Sequence, residues 1–403
     1  MCCRSLNLIR RSRPKLPLNS SPNCILMNSR KMGFALCLAS LFFFAQLPDA
    51  LAGGLTDIKT VFIIMMENHN WSEILDSTNC PYIKNTLVPR ASFCTQYYNP
   101  PALHPSLPNY LWLESGTNFG ILSDGSPANF PPITTTNHLV TLLHNAGISW
   151  KAYEQGIPGN TCPTTDISAT KYVARHDPFV FFTDVTGNFS YCTNHIRPYT
   201  ELAADLQKNN VARYNFITPN LTNDMHDLGA GYTSRRVEGD YWLSLQVPQI
   251  LNSHAYSNNG ALFIIWDEGT SDTSDGPIGC MVLSPVAKGH AYSNTVHYTH
   301  SSTLRTMQDI FGVQPYLRDA ANATALNDLF IELTFTQARF LNGQFAFTIG
   351  GTIPGRTNVI EASQDLVNWG PIATNVSAST SLTFVDRRPV NAGQQFYRVL
   401  LRP

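Results

Sequence analysis

Two uninterrupted apolar runs interrupt an otherwise mixed chain, and each stops at a pair of oxygen-bearing side chains. Thr60-Val61-Phe62-Ile63-Ile64-Met65-Met66 leads into Glu67-Asn68, and Ala261-Leu262-Phe263-Ile264-Ile265-Trp266 leads into Asp267-Glu268. Runs of this length, rich in β-branched and aromatic residues, predict strands buried on both faces of a parallel sheet. Residues 149–153, 213–217 and Cys280–Leu283 predict further strands, while 136–145, 200–208, 240–251 and 302–311 carry helical periodicity, the last closed by Gly312. Strands alternating with helices over about 57–328 predict an α/β domain with a central, mostly parallel sheet flanked by helices. The polar, proline-rich stretches 118–135 and 155–175 predict loops over the carboxyl ends of the strands, where open α/β sheets bind ligands.

After about residue 330 the period changes from helical to twofold. Short alternating runs such as Gln344–Ile349, Asn358–Ser363, Ser381–Val385 and Phe396–Leu400 are separated by turn residues and predict a small all-β sandwich. At the other end, Arg30-Lys31, the apolar stretch 33–47 and Asp49-Ala50-Leu51-Ala52 read as an export signal cleaved before Gly53. The expected organisation is a leader over 1–52, a catalytic domain over 53–330 and a β-sandwich module over 331–403. The expected location is secreted or periplasmic, with no stable membrane insertion once the signal is cleaved.

Charge sharpens this picture. Seven of the 27 Lys/Arg and one of the 28 Asp/Glu lie in 1–52, so the remainder carries a net charge of −7. That balance argues against nucleic acid and anionic membranes as long-range electrostatic partners. Of the cysteines after the leader, proximity in sequence predicts Cys80–Cys94 and Cys162–Cys192 disulfides, leaving Cys280 as a buried thiol in an apolar run.

The chemistry follows from placing two acidic pairs at one sheet edge. Glu67, Asn68, Asp267 and Glu268 offer four oxygen ligands, a set suited to a hard divalent cation. Between them in sequence, His104-Pro105-Ser106-Leu107-Pro108-Asn109-Tyr110 sets a hydroxyl in a proline-bracketed turn, where a metal could activate Ser106 as a nucleophile. Asn109 could donate to a phosphate oxygen and His104 stands close by. His176 lies in a polar turn, His226 and Asp227 follow the strand ending near Ile217, and His300 precedes the last helix, with Ser301 or Ser302 as its cap.

Met-Glu-Asn at 66–68, His-Pro-Ser-x-Pro-Asn-Tyr at 104–110, His-x-Pro-Phe at 176–179, Asn-Asp-Met-His-Asp at 223–227, Trp-Asp-Glu-Gly at 266–269 and Tyr-Thr-His-Ser-Ser-x-Leu-Arg-Thr at 298–306 occur in this order. Together they resemble the secreted phosphoesterase family of bacterial acid phosphatases and phospholipases C, within the alkaline-phosphatase superfamily. The resemblance covers about 57–320 and implies an alkaline-phosphatase-like sheet. It implies one divalent metal ion (Mg, Mn, Ca or Zn) on Glu67, Asn68, Ser106, Asp267 and Glu268, with Ser106 as nucleophile. His176 and His226 match family histidines around the phosphate, and Asn109, His104, Asp227 and His300 match weaker substrate-binding positions. The Ser-x-Pro-Asn element also resembles the nucleophile turn of nucleotide pyrophosphatases, but their paired Asp…His ligand pattern is missing here, which points to a single metal.

These features lead to hydrolysis of small phosphate monoesters through a phosphoserine. Two alternatives stay open: a phospholipase C acting on phosphodiesters, and an inactive secreted binding protein whose β module contacts a surface or partner. The sequence Glu67-Asn68-His69-Asn70-Trp71 and His104-Pro105-Ser106 sits closer to the acid-phosphatase pattern than to the phospholipase one.

Overall fold

The computed structural model describes residues 54–402, except 77, 101–102, 271–274, 343 and 389–394. The predicted leader, 1–52, lies outside the described residues. Sixteen strands are described: β1 Thr60–Met66, β2 Ser92–Cys94, β3 Tyr97–Tyr98, β4 Trp150–Glu154, β5 Ile196–Pro198, β6 Tyr214–Thr218, β7 Gly260–Trp266, β8 Cys280–Leu283, β9 Tyr292–Asn294, β10 Tyr298–Thr299, β11 Thr334–Leu341, β12 Gln344–Gly350, β13 Thr357–Ser363, β14 Gly370–Val376, β15 Ser381–Asp386 and β16 Phe396–Arg402.

Eight of them form one sheet in the order β5-β4-β6-β1-β7-β8-β2-β9. Every neighbouring pair is parallel except those made by β8, which runs against both β7 and β2. The predicted α/β class with a mostly parallel, helix-flanked sheet is therefore observed. β1 and β7 lie side by side at its middle, and β7 is buried along its whole length. Each large aliphatic or aromatic side chain so buried contributes about 1.5–3 kcal/mol, so both strands are anchored firmly.

A strand that is apolar on both faces has no alternation to set its register. Here the polar ends set it: Met66 pairs with Trp266, so Glu67 and Asp267 leave the sheet next to each other, and the Asp267 N–H donates to the Met66 carbonyl at 3.0 Å. Burying either carboxylate one residue earlier would place it in the apolar core without partners.

Several local expectations change. Ser106 does not sit in a proline-bracketed turn but opens the helix Ser106–Ser115, with Pro105 as its N-cap. Pro108 falls in the first turn, where an N–H has no intrahelical acceptor to miss. The last helix spans His300–Phe311, and its cap is Thr299 in a capping box with Ser302, not Ser301 or Ser302 themselves. Gly312 ends it at φ 65°, the left-handed stop that the sequence predicts. Helix 240–251 begins earlier, at Arg235.

Cys162–Cys192 is a disulfide, but Cys80–Cys94 is not; Cys80, Cys94 and Cys280 are buried thiols. The reason is strand pairing. β2 and β8 are antiparallel with Phe93 opposite Met281, which brings Cys94 across from Cys280, and those two thiols interact.

The C-terminal strands form two three-stranded antiparallel sheets, β11-β12-β15 and β14-β13-β16. They face each other through Phe345, Phe347 and Tyr397, with ring centroids 5.3 Å apart from Tyr397 to either phenylalanine. This is the predicted small β-sandwich. Strands β11 and β14 were not evident in the sequence, since all eight residues of β11 are exposed and no apolar face marks it.

Candidate active site

The carboxyl ends of β1, β6 and β7 converge on a cluster of buried acids. Glu67 follows β1, Asp267 and Glu268 follow β7, and Asp224 lies in the loop after β6, tied to β1 by the Glu67 N–H donating to the Asp224 carbonyl at 2.8 Å. Glu67, Asp224 and Asp267 have no exposed surface, and Glu268 is buried too. The loop carrying Asp224 can come this close because Gly239 faces it: a Cβ there would lie 2.3 Å from Met225 Cγ.

Ser106 and Tyr110, one helical turn apart, address the same carboxylate. The Ser106 hydroxyl donates to Glu67 Oε2 at 3.0 Å, and the Tyr110 hydroxyl donates to Oε1 at 2.5 Å. Tyr110 also stacks on His176, ring centroids 5.0 Å apart and planes nearly parallel. His176 Nε2 lies 3.4 Å from Glu67 Oε1 and its Nδ1 lies 3.4 Å from Asp224 Oδ2. Asp267 accepts from the Asn68 N–H at 3.1 Å, with Asn68 at φ 56°, and lies within bonding reach of Glu67 and Ser106.

The other predicted residues form a surrounding layer. Asn109 Nδ2 donates to Glu268 Oε2 at 3.0 Å, and His104 bridges Glu268 and Asp275 at 3.1 and 2.6 Å. His300 is buried behind the site, its Nε2 2.5 Å from the Asp267 carbonyl and its Nδ1 3.0 Å from the Tyr97 hydroxyl. His226 sits half-exposed at the mouth, its ring centroid 5.8 Å from that of His176, with Asp227 Oδ1 2.9 Å from its Nδ1. Asp227 points outward to Lys171, 3.3 Å away. The loops predicted to cover the crevice do so: Asp124 accepts from the Leu107 N–H at 3.0 Å and lies 3.2 Å from Arg175 Nε, which neighbours His226.

Crowding governs the electrostatics. Burial, reinforced by Asp267 and Asp224, pushes the Glu67 carboxyl well above the usual range. Burial likewise raises Asp224 and Asp267, and with Asp267, Asp124 and Asp275 nearby it lifts Glu268 to about 10. Burial, then the Arg175 and His226 charges, lowers His176. Such an arrangement calls for a cation.

The residues present fit one. Glu67, His176 and Asp224 offer ligand atoms all within 4.8 Å of one another. Among the described residues, Asp224 Oδ2, Asp267 Oδ2 and both His176 ring nitrogens also have no hydrogen-bond partner. Mixed carboxylate and imidazole donors suit Mn²⁺ or Zn²⁺ as well as harder ions. Sequence reading passed over Asp224 in favour of Asp227 in the same Asn-Asp-Met-His-Asp run. The missed signal is that Asp224 lies nearer the end of β6. Tyr110 was also passed over, although its i+4 spacing from Ser106 puts both on one helix face.

Residues 75–314 match the Phosphoesterase family. The chain is 27% identical over 278 residues to a phosphatidylinositol-3-phosphatase of Mycobacterium tuberculosis, covering 69% of this chain and 85% of that protein. It is 24% identical over 336 residues to an acid phosphatase of Aspergillus fumigatus, covering 81% and 70%. Among solved structures, murine ectonucleotide pyrophosphatase/phosphodiesterase 5 aligns with a TM-score of 0.43 at 12% identity, covering 68% of this chain and 100% of that one. With more than half of its length matched, and with acid phosphatases among its relatives, the chain belongs to the Phosphoesterase family and is a phosphoric-ester hydrolase.

Proposed function

We propose that the protein is an exported, metal-dependent phosphatase that hydrolyses phosphate monoesters through a phosphoserine at Ser106. The observation that carries this reading is the Ser106 hydroxyl, hydrogen-bonded at 3.0 Å to a buried carboxylate inside a cluster of four acids and a histidine. Glu67, Asp224 and His176, with Asp267 beside them, would hold one divalent ion, and Asn68 and Glu268 stand next to that set. Such an ion supplies Lewis acidity, favouring the alkoxide form of a serine and offsetting charge on a phosphoryl oxygen.

The chain's own groups account for the rest. Glu67 Oε2 already accepts a hydrogen bond from the Ser106 hydroxyl and would take its proton as Oγ attacks, returning it when the serine is restored, and Tyr110 fixes that carboxylate from the other side. Ser106 Oγ forms a bond to phosphorus as the bond to the leaving alcohol breaks, and His226 at the mouth hands that alcohol a proton. Water then cleaves the phosphoserine, releasing orthophosphate and restoring the serine. Arg175, held by Asp124, lies where it can meet phosphoryl oxygens, while Asn109 and His104 keep Glu268 in place. His300 acts from behind, through the backbone of Asp267.

Export is supported by the leader-like sequence of 1–52 and by the Cys162–Cys192 disulfide, which suits an oxidising compartment. No helix among the described residues is long and apolar enough to cross a membrane. The β-sandwich over 331–403 would serve as an accessory module that meets a surface or partner. Hydrolysis of p-nitrophenyl phosphate beside p-nitrophenylphosphorylcholine, before and after chelation and metal add-back, tests the reading. Chelator-sensitive cleavage of the monoester supports it; preference for the choline diester would transfer the assignment to a phospholipase C.

A further inference from the structure

Next to the acid cluster lies a second, differently built cavity of about 310 Å³. Its floor is the start of the helix Arg235–Leu251, capped by Ser234, whose hydroxyl accepts from the Arg236 N–H at 3.2 Å. The start of a 17-residue helix carries partial positive charge and unpaired N–H donors. Two arginines, Arg235 and Arg236, add full charges there. Each is braced through one nitrogen on a backbone carbonyl, Arg235 on His226 at 2.9 Å and Arg236 on Glu73 at 3.0 Å. A guanidinium has five N–H donors, so this bracing positions each group without consuming it.

His69, only 4% exposed, also lines the cavity; its Nε2 has no hydrogen-bond partner among the described residues, while its Nδ1 lies 3.7 Å from Glu73 Oε2. A buried ring nitrogen left without a partner is expensive unless something in the cavity meets it. Glu73, the one acid in the lining, is held by other donors besides His69: its Oε2 accepts from the Asn70 N–H at 3.0 Å and from the Thr270 hydroxyl, and its single charge is outnumbered by the two arginines. The cavity thus offers donors and positive charge, whereas the neighbouring cluster offers carboxylates. Its connection to that cluster is short, since His69 follows Glu67 by two residues and Arg235 holds the His226 carbonyl.

We propose that this cavity is an anion subsite that receives a second phosphate on the leaving group, so that the preferred substrates are alcohols phosphorylated at two positions. This rests on the monoesterase reading of the adjacent cluster. His69 and the Arg235 and Arg236 side chains bind the second phosphate, and the first is delivered to Ser106.

The test is a series of α,ω-alkanediol bisphosphates with two to six carbons, each compared with its matched monophosphate on the full-length, metal-loaded protein. At least one spacer should exceed its monophosphate by about 10-fold in kcat/KM, as expected for charge-assisted hydrogen bonds. Arg236→Gln should bring that ratio towards one, and Arg236→Lys should retain most of it. A wild-type series flat within about twofold overturns the proposal without any variant, as does a preference that survives Arg236→Gln. Calorimetric binding of the same bisphosphates, tighter than the monophosphates in wild type but not in Arg236→Gln, reads the subsite independently of turnover. Failure of the subsite is thereby separated from failure of the phosphatase reading, which would show as silence on every monoester.

Discussion

Asp224→Asn should move stability and activity in opposite directions. The substitution keeps the shape of the side chain and the oxygen that accepts from the His226 N–H at 2.8 Å. It removes one negative charge from a cluster in which Glu67 and Asp224 offer oxygens within 4.8 Å of each other. Two unit charges at that separation repel by about 3.5 kcal/mol at an effective dielectric of about 20. Raised carboxyl pKa values mean that part of this repulsion is already relieved by protonation, so a net gain of about 1–3 kcal/mol is expected in chelated protein at pH 8. That corresponds to a Tm increase of about 2–6 °C.

The pH dependence follows from the same shifts. Groups whose folded-state pKa is raised leave the fold most favoured at low pH and withdraw stability as pH rises through the folded value. Glu67, Asp224, Asp267 and Glu268 all shift upward, so the advantage of Asp224→Asn should be small at pH 5 and grow toward pH 8. Meanwhile turnover with added metal should fall by at least about 10-fold. Differential scanning calorimetry of the chelated proteins at both pH values, beside p-nitrophenyl phosphate kinetics, makes the measurement. If the variant is destabilised equally at pH 5 and pH 8, crowded charge is not what characterises this cluster and Asp224 is an ordinary structural acid.

Two further outcomes concern the scaffold. His138 is fully buried, with Nδ1 2.8 Å from Glu114 and Nε2 3.1 Å from Asp184, and these acids raise its pKa above 6.5 despite burial. Its contribution to stability is therefore complete below pH 6.5 and lost as pH rises through the folded value, while Asp184, shifted down, withdraws its share only below about 3.8. An NMR titration midpoint for the His138 imidazole below 6.5 would contradict this. The Cys162–Cys192 bridge closes a 30-residue separation, for which chain entropy predicts about 3–4 kcal/mol. Replacing both cysteines by alanine should lower Tm by several degrees and abolish its sensitivity to reductant; an unchanged Tm would refute that estimate.

Much of this architecture is legible in the chain because the strongest physical signals are local. Two apolar runs, each followed by an acid, announce buried strands and a polar sheet edge, and the structure pairs them residue for residue. What escapes is whatever depends on neighbours distant in sequence. Asp224 stands three residues nearer the end of β6 than Asp227, but it is the return of the loop over Gly239 that buries one and leaves the other facing Lys171. Proximity favoured Cys80 as the partner of Cys94, yet strand pairing placed Cys280 opposite it. Prolines around Ser106 suggested a rigid turn, but proline is equally at home in the first turn of a helix, and that helix aims Ser106 and Tyr110 together at Glu67.

The central claim is that Ser106 carries the phosphoryl group. Acid quench of the metal-loaded enzyme during turnover of a monoester, followed by peptide mass spectrometry, should reveal phosphate on the peptide containing Ser106 and none on the same peptide of Ser106→Ala. That variant should also lose at least about 10³-fold in turnover. An unmodified Ser106 in quenched wild type, together with a Ser106→Ala enzyme retaining more than about a tenth of wild-type activity, would contradict the account.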